Sequence, residues 1–237
     1  MLAQGKAQLS VVDTDDSLAE ELVAFVAEAS FPCLGAKAAL NAGAHTIKVY
    51  QELASTACSR ALAQDLEAFV RAPRPSEYAT FIAIFRGPEI TSEEQFEELL
   101  WSQLRDLHRL DQHDWDSGVS SNPQDPAFSF SFAGQGFYIV GMHPHSSRMA
   151  RRFSQPALIF NRHEQFERLR HDGKWTRMQA SIRERDLELQ GSINPMLGDF
   201  GESSEARQYS GRAVEEGWRA PFPQAHGEGR CPFGHGS

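Results

Sequence analysis

Two short apolar runs, each followed by a histidine, most constrain how this chain can fold. The runs are residues 137–140 (FYIV) and 157–160 (ALIF). Their β-branched and aromatic residues are typical of buried strands. His143 follows the first run and His163 follows the second. Because a strand fixes its backbone and the loop after it gives access to solvent, functional side chains are often held at strand ends. We therefore expect the working site around these two histidines.

The segment from residue 143 to residue 185 is basic, although the chain as a whole is acidic. It holds ten arginines and lysines against four acids, whereas the complete chain has a formal net charge of −9. Guanidinium groups match the planar oxygens of carboxylates and phosphates, so this segment predicts a bound anionic group. The alternative is a solvated basic face, which is how most charge runs behave. The acidic balance of the whole chain argues against a general nucleic-acid binder.

Helical and strand-like patterns follow one another without strict alternation. Apolar spacing or composition predicts helices near residues 17–26, 32–40, 46–70, 92–110, 161–169 and 175–189. Strands are predicted at residues 80–85, 128–132, 137–141 and 157–160, with the second and third joined as a hairpin. The expected helix caps are Asp16 or Ser17 for the first helix, Thr91 or Ser92 for the fourth, and Asn161 with Glu164 for the fifth. This pattern predicts an α+β fold, a small and mostly antiparallel sheet with helices packed around it.

The length and composition predict a single domain. One globular domain is the default for 237 residues of which 41% are apolar, and no internal repeat is visible. Residues 1–16 are polar and without periodicity, so they are expected to form a mobile arm. Residues 17–222 are expected to form the domain that carries the site, and residues 223–237 a flexible tail. No apolar run has the length of a signal peptide or a membrane span, so a soluble cytoplasmic protein is expected.

The three cysteines are too few and too scattered for a disulfide framework, and a reducing cytoplasm fits them. Cys33, after Phe31 and Pro32, is placed to point into a pocket at a helix start, where the helix dipole stabilises a thiolate. A buried structural cysteine is the commoner case. Cys231 stands before a proline, as thiolate ligands of iron do in some proteins, and an inert place in the tail is the alternative.

His143 is the first candidate metal ligand. It precedes Pro144, which favours an extended backbone and a rigid turn. The alternative is a loop histidine that is hydrogen-bonded to a neighbour, and the same ambiguity holds for His145 and His163. The nine histidines include no His-x-x-x-His or His-Glu-x-x-His pair, so a dedicated zinc enzyme is disfavoured.

Several stretches of the chain resemble the YqcI/YcgG family. They are Phe31-Pro32-Cys33, Gly141-Met142-His143-Pro144 with Ser146-Ser147-Arg148, Phe160-Asn161-Arg162-His163 with Gln165-Phe166, residues 190–197 (QGSINPML), and Tyr209-Ser210-Gly211-Arg212. Together they spread over most of the chain. There is one departure near the C-terminus. The family has Cys-Pro-Phe after a tryptophan, whereas here Trp218 is followed by Arg-Ala-Pro-Phe and Cys-Pro-Phe comes only at Cys231. Because of that departure, a histidine is expected to be the metal ligand in place of Cys231.

The family includes haem-dependent guanidine N-hydroxylases, such as the pre-guanitoxin hydroxylase and arginine hydroxylases of natural-product pathways. The resemblance therefore implies haem b, dioxygen and an external electron source, either a donor protein or a reductant. It implies a monooxygenase that N-hydroxylates a guanidine or amine nitrogen of an amino-acid-like substrate, with arginine as the default. A haem-binding sensor or carrier without oxygenase turnover is the first alternative. A non-haem protein that holds an anionic metabolite is the second, and a homodimer stays open.

The resemblance also implies roles for particular residues. His143 is expected to be the proximal iron ligand, with His163 as the alternative. Arg148 and Arg152 would neutralise the haem propionates. The carboxylates expected to bind a cationic guanidine are Asp199, Glu202 and Glu205, with ordinary solvated acids as the alternative.

Overall fold

A five-stranded sheet forms the centre of the fold. The structure, a computed structural model, describes residues 14–73, 76, 78–196 and 202–223 of the chain. The strands are β1 His45–Glu52, β2 Thr80–Gly87, β3 Phe130–Phe132, β4 Gln135–Met142 and β5 Ala157–Arg162. They lie in the order β1-β2-β5-β4-β3, and every neighbouring pair is antiparallel except β1 with β2. The predicted α+β class, with a small and mostly antiparallel sheet in one domain, is confirmed.

The described residues form six α-helices around this sheet. They are α1 Asp15–Ala27, α2 Leu34–Asn41, α3 Thr56–Arg71, α4 Glu93–Leu110, α5 His163–His171 and α6 Trp175–Gln190. Two short 3₁₀ turns, Met149–Arg151 and Glu205–Gln208, lie between the longer elements. None of the helices in the described part of the chain is long and apolar enough to cross a membrane.

One face of the sheet is packed with aromatic and aliphatic side chains, and we call it the aromatic face. Its strand residues are Phe81, Phe85, Phe137, Ile139, Leu158 and Phe160, all fully buried. Helices α3 and α4 cover this face. In α4, Phe96, Leu100 and Leu104 are fully buried against the sheet. Ser92, one of its two predicted caps, accepts a hydrogen bond from the N–H of Gln95.

The other face of the sheet leaves a cavity, so we call it the cavity face. Its strand residues alternate with those of the aromatic face, as the two-residue period of a strand requires, and are Ile82, Ile84, Tyr138, Val140, Met142, Ile159 and Asn161. Helices α1 and α2 pack over the half of this face formed by β1 and β2. Helices α5 and α6 stand over the half formed by β4 and β5.

The predicted helix over residues 46–70 is wrong in its first part. Residues 45–52 form β1, which pairs in parallel with β2, and only Thr56–Arg71 is helical. A tight turn separates the two, with Ala54 at a positive φ of 64°. Ile47 and Val49 are β-branched residues two positions apart, which favours a strand. The alanines that indicated helix lie mostly beyond the turn, so the strand and the helix after it were predicted as one helix.

The predicted cap of α5 is also wrong. Asn161 lies in β5, where its side chain donates to the carbonyl of Tyr138 and accepts from the hydroxyl of Thr80. The N-cap position belongs to Arg162, whose side chain makes no capping hydrogen bond. The helix therefore starts directly from the strand. This places the residues of α5 next to the sheet.

The N-terminal boundary differs slightly from the expected one. Helix α1 begins at Asp15, and its cap is Thr14 rather than Asp16 or Ser17. The last three residues of the predicted arm are thus ordered against the domain. The rest of that arm, residues 1–13, and residues 224–237 of the predicted tail lie outside the described residues, and Cys231 with them.

Candidate functional site

A cavity of about 300 Å³ lies between the cavity face and helices α2, α5 and α6. Its volume is at the lower end of the range of small-molecule and cofactor sites. The strand side chains on its wall are Tyr138, Val140, Met142, Ile159 and Asn161. Its polar or ionisable lining residues include Cys33, Arg148, Arg151, Gln165, Arg170, Asp186 and Glu205. The site is therefore an apolar chamber with a small set of polar groups.

The burial pattern of the central strands shows the cavity independently. Phe137 and Ile139 on β4 are fully buried, whereas Tyr138 and Val140 between them keep part of their surface accessible. The same alternation holds on β5, where Ile159 is less buried than its neighbour Phe160. Both strands have neighbours on both sides, so this accessible surface faces the cavity.

Cys33 brings a thiol to the start of α2. It is the N-cap residue, and its sulfur accepts a hydrogen bond from the N–H of Ala36 at 3.5 Å. Burial raises the pKa of the thiol, while the backbone N–H groups of Ala36 and Gly35 act in the opposite direction. These N–H groups and the positive end of the helix dipole would support a thiolate. The interpretation that Cys33 points into a pocket at a helix start agrees with this position.

Glu205 brings a carboxyl group to the cavity. Its Oε1 accepts hydrogen bonds of 2.6 Å from the hydroxyls of both Ser129 and Tyr209. Burial raises the pKa of this carboxyl to about 8, although both hydrogen bonds and the charge of Arg170 lower it. At neutral pH the group is therefore mostly protonated in the free protein. Strongly shifted carboxyls in cavities mark candidate functional sites.

Arg151 is the cavity arginine that has no acidic partner. Its guanidinium donates to the backbone carbonyls of Gly141 and Tyr209 at 3.3 and 3.1 Å. Within the described part of the chain, no carboxylate lies within ion-pair distance of it. Burial lowers the pKa of Arg151, while the nearby Tyr138 raises it. Gly211 leaves the necessary space, because a Cβ there would lie 2.7 Å from the Cδ of Arg151.

Gln165 adds an orphaned amide. The residue is 7% exposed and lines the cavity, and its Nε2 has no hydrogen-bond partner among the described residues. A buried amide without a partner costs roughly 1–3 kcal/mol. Native structures tolerate few such groups, and a missing water, ion or ligand is a common cause. This amide is a hydrogen-bond donor on the cavity wall that is available to a polar group.

Arg148 lines the cavity but is already paired. Its Nη2 lies 2.5 Å from Asp186 of α6, and the guanidinium also donates to the hydroxyl and the carbonyl of Ser192. Asp186 accepts in addition from the N–H of Asn194. Arg148 therefore ties the loop after β4 to α6 and to the chain beyond it. The predicted role at a propionate stays a prediction.

His143 lies on the other side of the sheet from the cavity. Its ring is fully buried and stacks on Phe96 of α4 with a centroid distance of 4.3 Å. Neither ring nitrogen has a hydrogen-bond partner among the described residues, and burial lowers its pKa to about 4. An iron-bound imidazole needs open space beside one nitrogen, and this ring is enclosed. His143 continues the parity of Phe137 and Ile139, so this placement argues against the predicted axial ligand.

His163 is close to the cavity but its imidazole is fully used. Nδ1 lies 3.0 Å from the hydroxyl of Ser129, and Nε2 lies 3.1 Å from Oε1 of Glu167. Burial lowers the pKa of His163, whereas Glu167 raises it. Neither nitrogen is free for iron while both hydrogen bonds are made. Its predicted role as the alternative iron ligand stays a prediction.

The remaining predicted residues divide among three places. Arg152 does not line the cavity, and its Nε donates to the carbonyl of Ser146. Glu202 is exposed and lies off the cavity wall. Asp199 lies outside the described residues, so its predicted contact with substrate stays a prediction. Of the two predicted carboxylates in the described part of the chain, Glu205 lies on the cavity wall.

Sequence reasoning missed Gln165 and Tyr138 as cavity residues, whereas Arg151 was among the basic residues expected to bind an anionic group. Gln165 stands inside a stretch that resembles the family, next to Phe166, and Arg151 stands in the basic segment. Tyr138 could have been found from parity, since it alternates with the apolar residues of β4. Among the described residues no cluster of three or more histidines, cysteines or acids could hold a metal ion.

Comparison with known proteins agrees with this reading of the motifs. A family model for the YqcI/YcgG family matches residues 22–223. The chain belongs to the YqcI/YcgG family. Members that it resembles include the uncharacterized protein YcgG of Bacillus subtilis (strain 168), 26% identical over 190 residues, which are 76% of this chain and 75% of YcgG. The uncharacterized protein YqcI of the same strain is 29% identical over 193 residues, 77% of this chain and 76% of YqcI. No solved structure gives a significant match.

Proposed function

We propose that this member of the YqcI/YcgG family is a haem-dependent oxygenase. It would use dioxygen and external electrons to N-hydroxylate a guanidine or amine nitrogen of an amino-acid-like substrate, with arginine as the default. One observation supports this most. The cavity brings a thiol at a helix start, a carboxyl with a strongly raised pKa and an arginine without an acidic partner into one apolar chamber.

The donors on the cavity wall fit a haem that is held by sulfur. Cys33 offers the strongest iron ligand among the lining residues, and a metal ion itself favours loss of the thiol proton. The phenol of Tyr138 is already engaged, because it donates to Gln208 at 2.6 Å. The imidazoles of His143 and His163 do not line the cavity. We therefore propose that Cys33 would hold the iron.

The rest of the wall fits the other parts of a haem. Val140 and Ile159 offer an apolar surface to the macrocycle. Arg151, which has no acidic partner, can neutralise a propionate. A haem with a thiolate ligand supplies dioxygen activation, since the thiolate favours O–O cleavage. The residues of the chain bind this group, exclude water from it and orient the substrate.

Glu205 is the group that we assign to the substrate. A guanidinium beside this carboxyl would favour its ionised form, because an opposite charge stabilises the carboxylate. Binding of a cationic substrate would then release the proton of Glu205 toward the cavity. The free Nε2 of Gln165 can donate to an oxygen of the substrate. A cation and a hydrogen-bond acceptor are what a zwitterionic amino acid with a guanidine side chain provides.

The test is the absorption spectrum of the protein purified after expression with a haem precursor. A Soret band is expected in the wild type, and Cys33→Ala should lose the spectral features of thiolate ligation. Cys58→Ala is the matched control, because Cys58 is buried on α3 and does not line the cavity. His143→Ala should keep the spectrum. A spectrum that changes in His143→Ala and not in Cys33→Ala would return the axial position to the imidazole.

Turnover separates the proposal from its alternatives. The wild type with dioxygen, a reductant and arginine or a related guanidine should form an N-hydroxy product. A haem spectrum without any product across a panel of guanidines and amines would favour a sensor or carrier. A colourless protein that binds an anionic metabolite would favour a non-haem binding protein. The cytoplasmic location and the homodimer stay predictions.

A further inference from the structure

A continuous chain of hydrogen bonds leads from the cavity to the protein surface. It starts at Glu205 Oε1, which accepts from the hydroxyl of Ser129 at 2.6 Å. The same hydroxyl lies 3.0 Å from Nδ1 of His163. On the other side of the ring, Nε2 lies 3.1 Å from Oε1 of Glu167. Four side chains from three separate segments are thus joined without a gap.

The side chains at the two ends of this series of hydrogen bonds are more exposed than those in its middle. Ser129 is fully buried, and the side chain of Glu205 is 15% exposed, on the wall of the cavity. The side chain of His163 is 11% exposed, and that of Glu167 is 49% exposed. The chain therefore has one end in the cavity and the other in solvent. Its middle is protected from water.

The hydroxyl of Tyr209, the second donor to Glu205, does not connect the carboxyl to solvent. Tyr209 also donates to Oε1, but its oxygen accepts from the backbone N–H of Phe130 and lies 3.3 Å from the carbonyl of Phe137. Those groups are backbone groups of β3 and β4, which do not pass a side-chain proton on to solvent. Ser129 is thus the hydroxyl that connects this carboxyl to a titratable group.

We propose that Ser129, His163 and Glu167 form a proton relay that reloads the Glu205 carboxyl from solvent. A proton from solvent or from Glu167 binds Nε2 of His163. The ring then releases its Nδ1 proton to the oxygen of Ser129, and Ser129 releases its own hydroxyl proton to the Glu205 carboxylate. The ring is then left with its proton on Nε2, and it returns to its starting tautomer by a half-turn about Cβ–Cγ that brings Nδ1 to solvent, where Nδ1 takes a proton and Nε2 releases one. His163 and Ser129 are positioning residues in this relay, since they act through Glu205.

This inference rests on the proposed function and deepens it. A monooxygenase puts one oxygen atom of dioxygen into the product and releases the other as water, which consumes an electron pair and two protons. The electrons come from the external donor. In an apolar chamber the protons need a defined route. Glu205, reloaded through the relay, supplies that route at the wall where the substrate is bound.

The charges around the relay suit proton transfer near neutral pH. Glu205 faces Tyr138, Tyr209, Arg170 and Glu167. Its burial raises the pKa of the carboxyl to about 8. His163 faces Asp116, Arg170, Glu167 and Glu205, and its burial lowers its pKa. The ring is therefore neutral at neutral pH. A neutral imidazole has one nitrogen that accepts and one that donates, as the relay requires.

The first test measures the relay without any cofactor or substrate. After a rapid pH jump, reprotonation of Glu205 is followed by the infrared band of its protonated carboxyl, assigned through its loss in Glu205→Gln. We expect reprotonation to slow at least tenfold in Ser129→Ala and in His163→Gln. Ser129→Thr, which keeps the hydroxyl, should restore the rate. Ser131→Ala is the matched control. Ser131 is equally buried on β3, but its hydroxyl accepts a hydrogen bond from the backbone N–H of Asp116.

An unchanged rate in Ser129→Ala, with the fold intact by circular dichroism, would overturn the relay and show that water in the cavity carries the proton. If Ser129→Ala unfolds, the comparison of Ser129→Thr with His163→Gln decides. The second test is the pH profile of turnover in the loaded protein, where Ser129→Ala should be slowed by roughly a hundredfold. If the infrared rates fall but the wild type forms no N-hydroxy product, the relay stands and the proposed oxygenase fails.

Discussion

The two faces of the sheet are made by the same strands and have opposite properties. On β4, Phe137 and Ile139 are sealed under α4, while Tyr138 and Val140 line a cavity. The aromatic face has close packing and a histidine whose ring has no hydrogen-bond partner in the described part of the chain. The cavity face has a thiol, an acid and arginines. Parity along one strand therefore divides the residues that are buried in the core from those that line the cavity.

The comparison also shows how each face is closed. Helix α4 covers the aromatic face with seven buried residues, whereas α6 covers the cavity with one, Asp186. Apolar burial supplies the stability on the first side. On the second side a polar contact holds the covering helix. Substitutions that remove the same group from each face should separate these two roles.

The largest effect is expected at the polar contact of the cavity face. Asp186→Asn removes the charge that pairs with Arg148 and leaves a buried guanidinium without its counter-ion. Such a loss costs roughly 3–5 kcal/mol. Hydrogen exchange should show the amides of α6 losing protection before those of α4. Glu184→Gln, on an exposed position of the same helix, is the control and should change neither. Equal loss of protection in both helices would contradict a separate role for this contact.

The second effect compares one substitution on the two faces. Ile139→Ala removes a fully buried side chain from the aromatic face and should lower the free energy of unfolding by about 2–5 kcal/mol. Ile159→Ala removes a side chain that already faces open volume, so about 1 kcal/mol is expected. Urea unfolding measures both. Similar losses for the two variants would mean that the cavity is closed in solution.

The third effect is a pH dependence that belongs to the cavity. Because burial raises the pKa of Glu205 to about 8, the folded protein holds this proton more tightly than the unfolded chain does. Stability should therefore fall as the pH rises from the ordinary range of a glutamate through 8. Glu205→Gln should remove this decline. At pH values above 8 it should raise the free energy of unfolding by roughly 2–3 kcal/mol relative to the wild type. Glu202→Gln, an exposed control, should keep it. His163 contributes the opposite slope, since its lowered pKa makes stability fall on the acid side.

The smallest effect adds atoms rather than removing them. A Cβ at Gly141 would lie 2.6 Å from a ring carbon of Phe96 and 2.8 Å from the carbonyl oxygen of Tyr209. Gly141→Ala should therefore cost about 1–3 kcal/mol through overpacking. Val140→Ile adds one carbon on the cavity side, where volume is free, and the melting temperature should hardly change. A tolerated Gly141→Ala would show that the aromatic face can relax.

The sequence predicts the strands better than it predicts the site. The runs that became β2, β4 and β5 are continuous and apolar, so their burial is visible in the residues themselves. Strand β1 was hidden because an alanine-rich helix follows it after a three-residue turn. The histidines were the obvious candidates, yet parity put His143 under α4 and hydrogen bonds occupy both nitrogens of His163. Which residues meet in the cavity depends on how α5 and α6 cross the sheet, and local patterns carry no information about that crossing.

The single buried residue of α6 has a consequence for how the chamber could be filled. Moving this helix away from the sheet separates Asp186 from Arg148 and breaks the hydrogen bonds of Gln190 to Ser147 and Met149. A planar ligand wider than the cavity can then enter beneath α6 as this helix moves outward. Loading would then depend on these polar contacts, and Asp186→Asn should speed it.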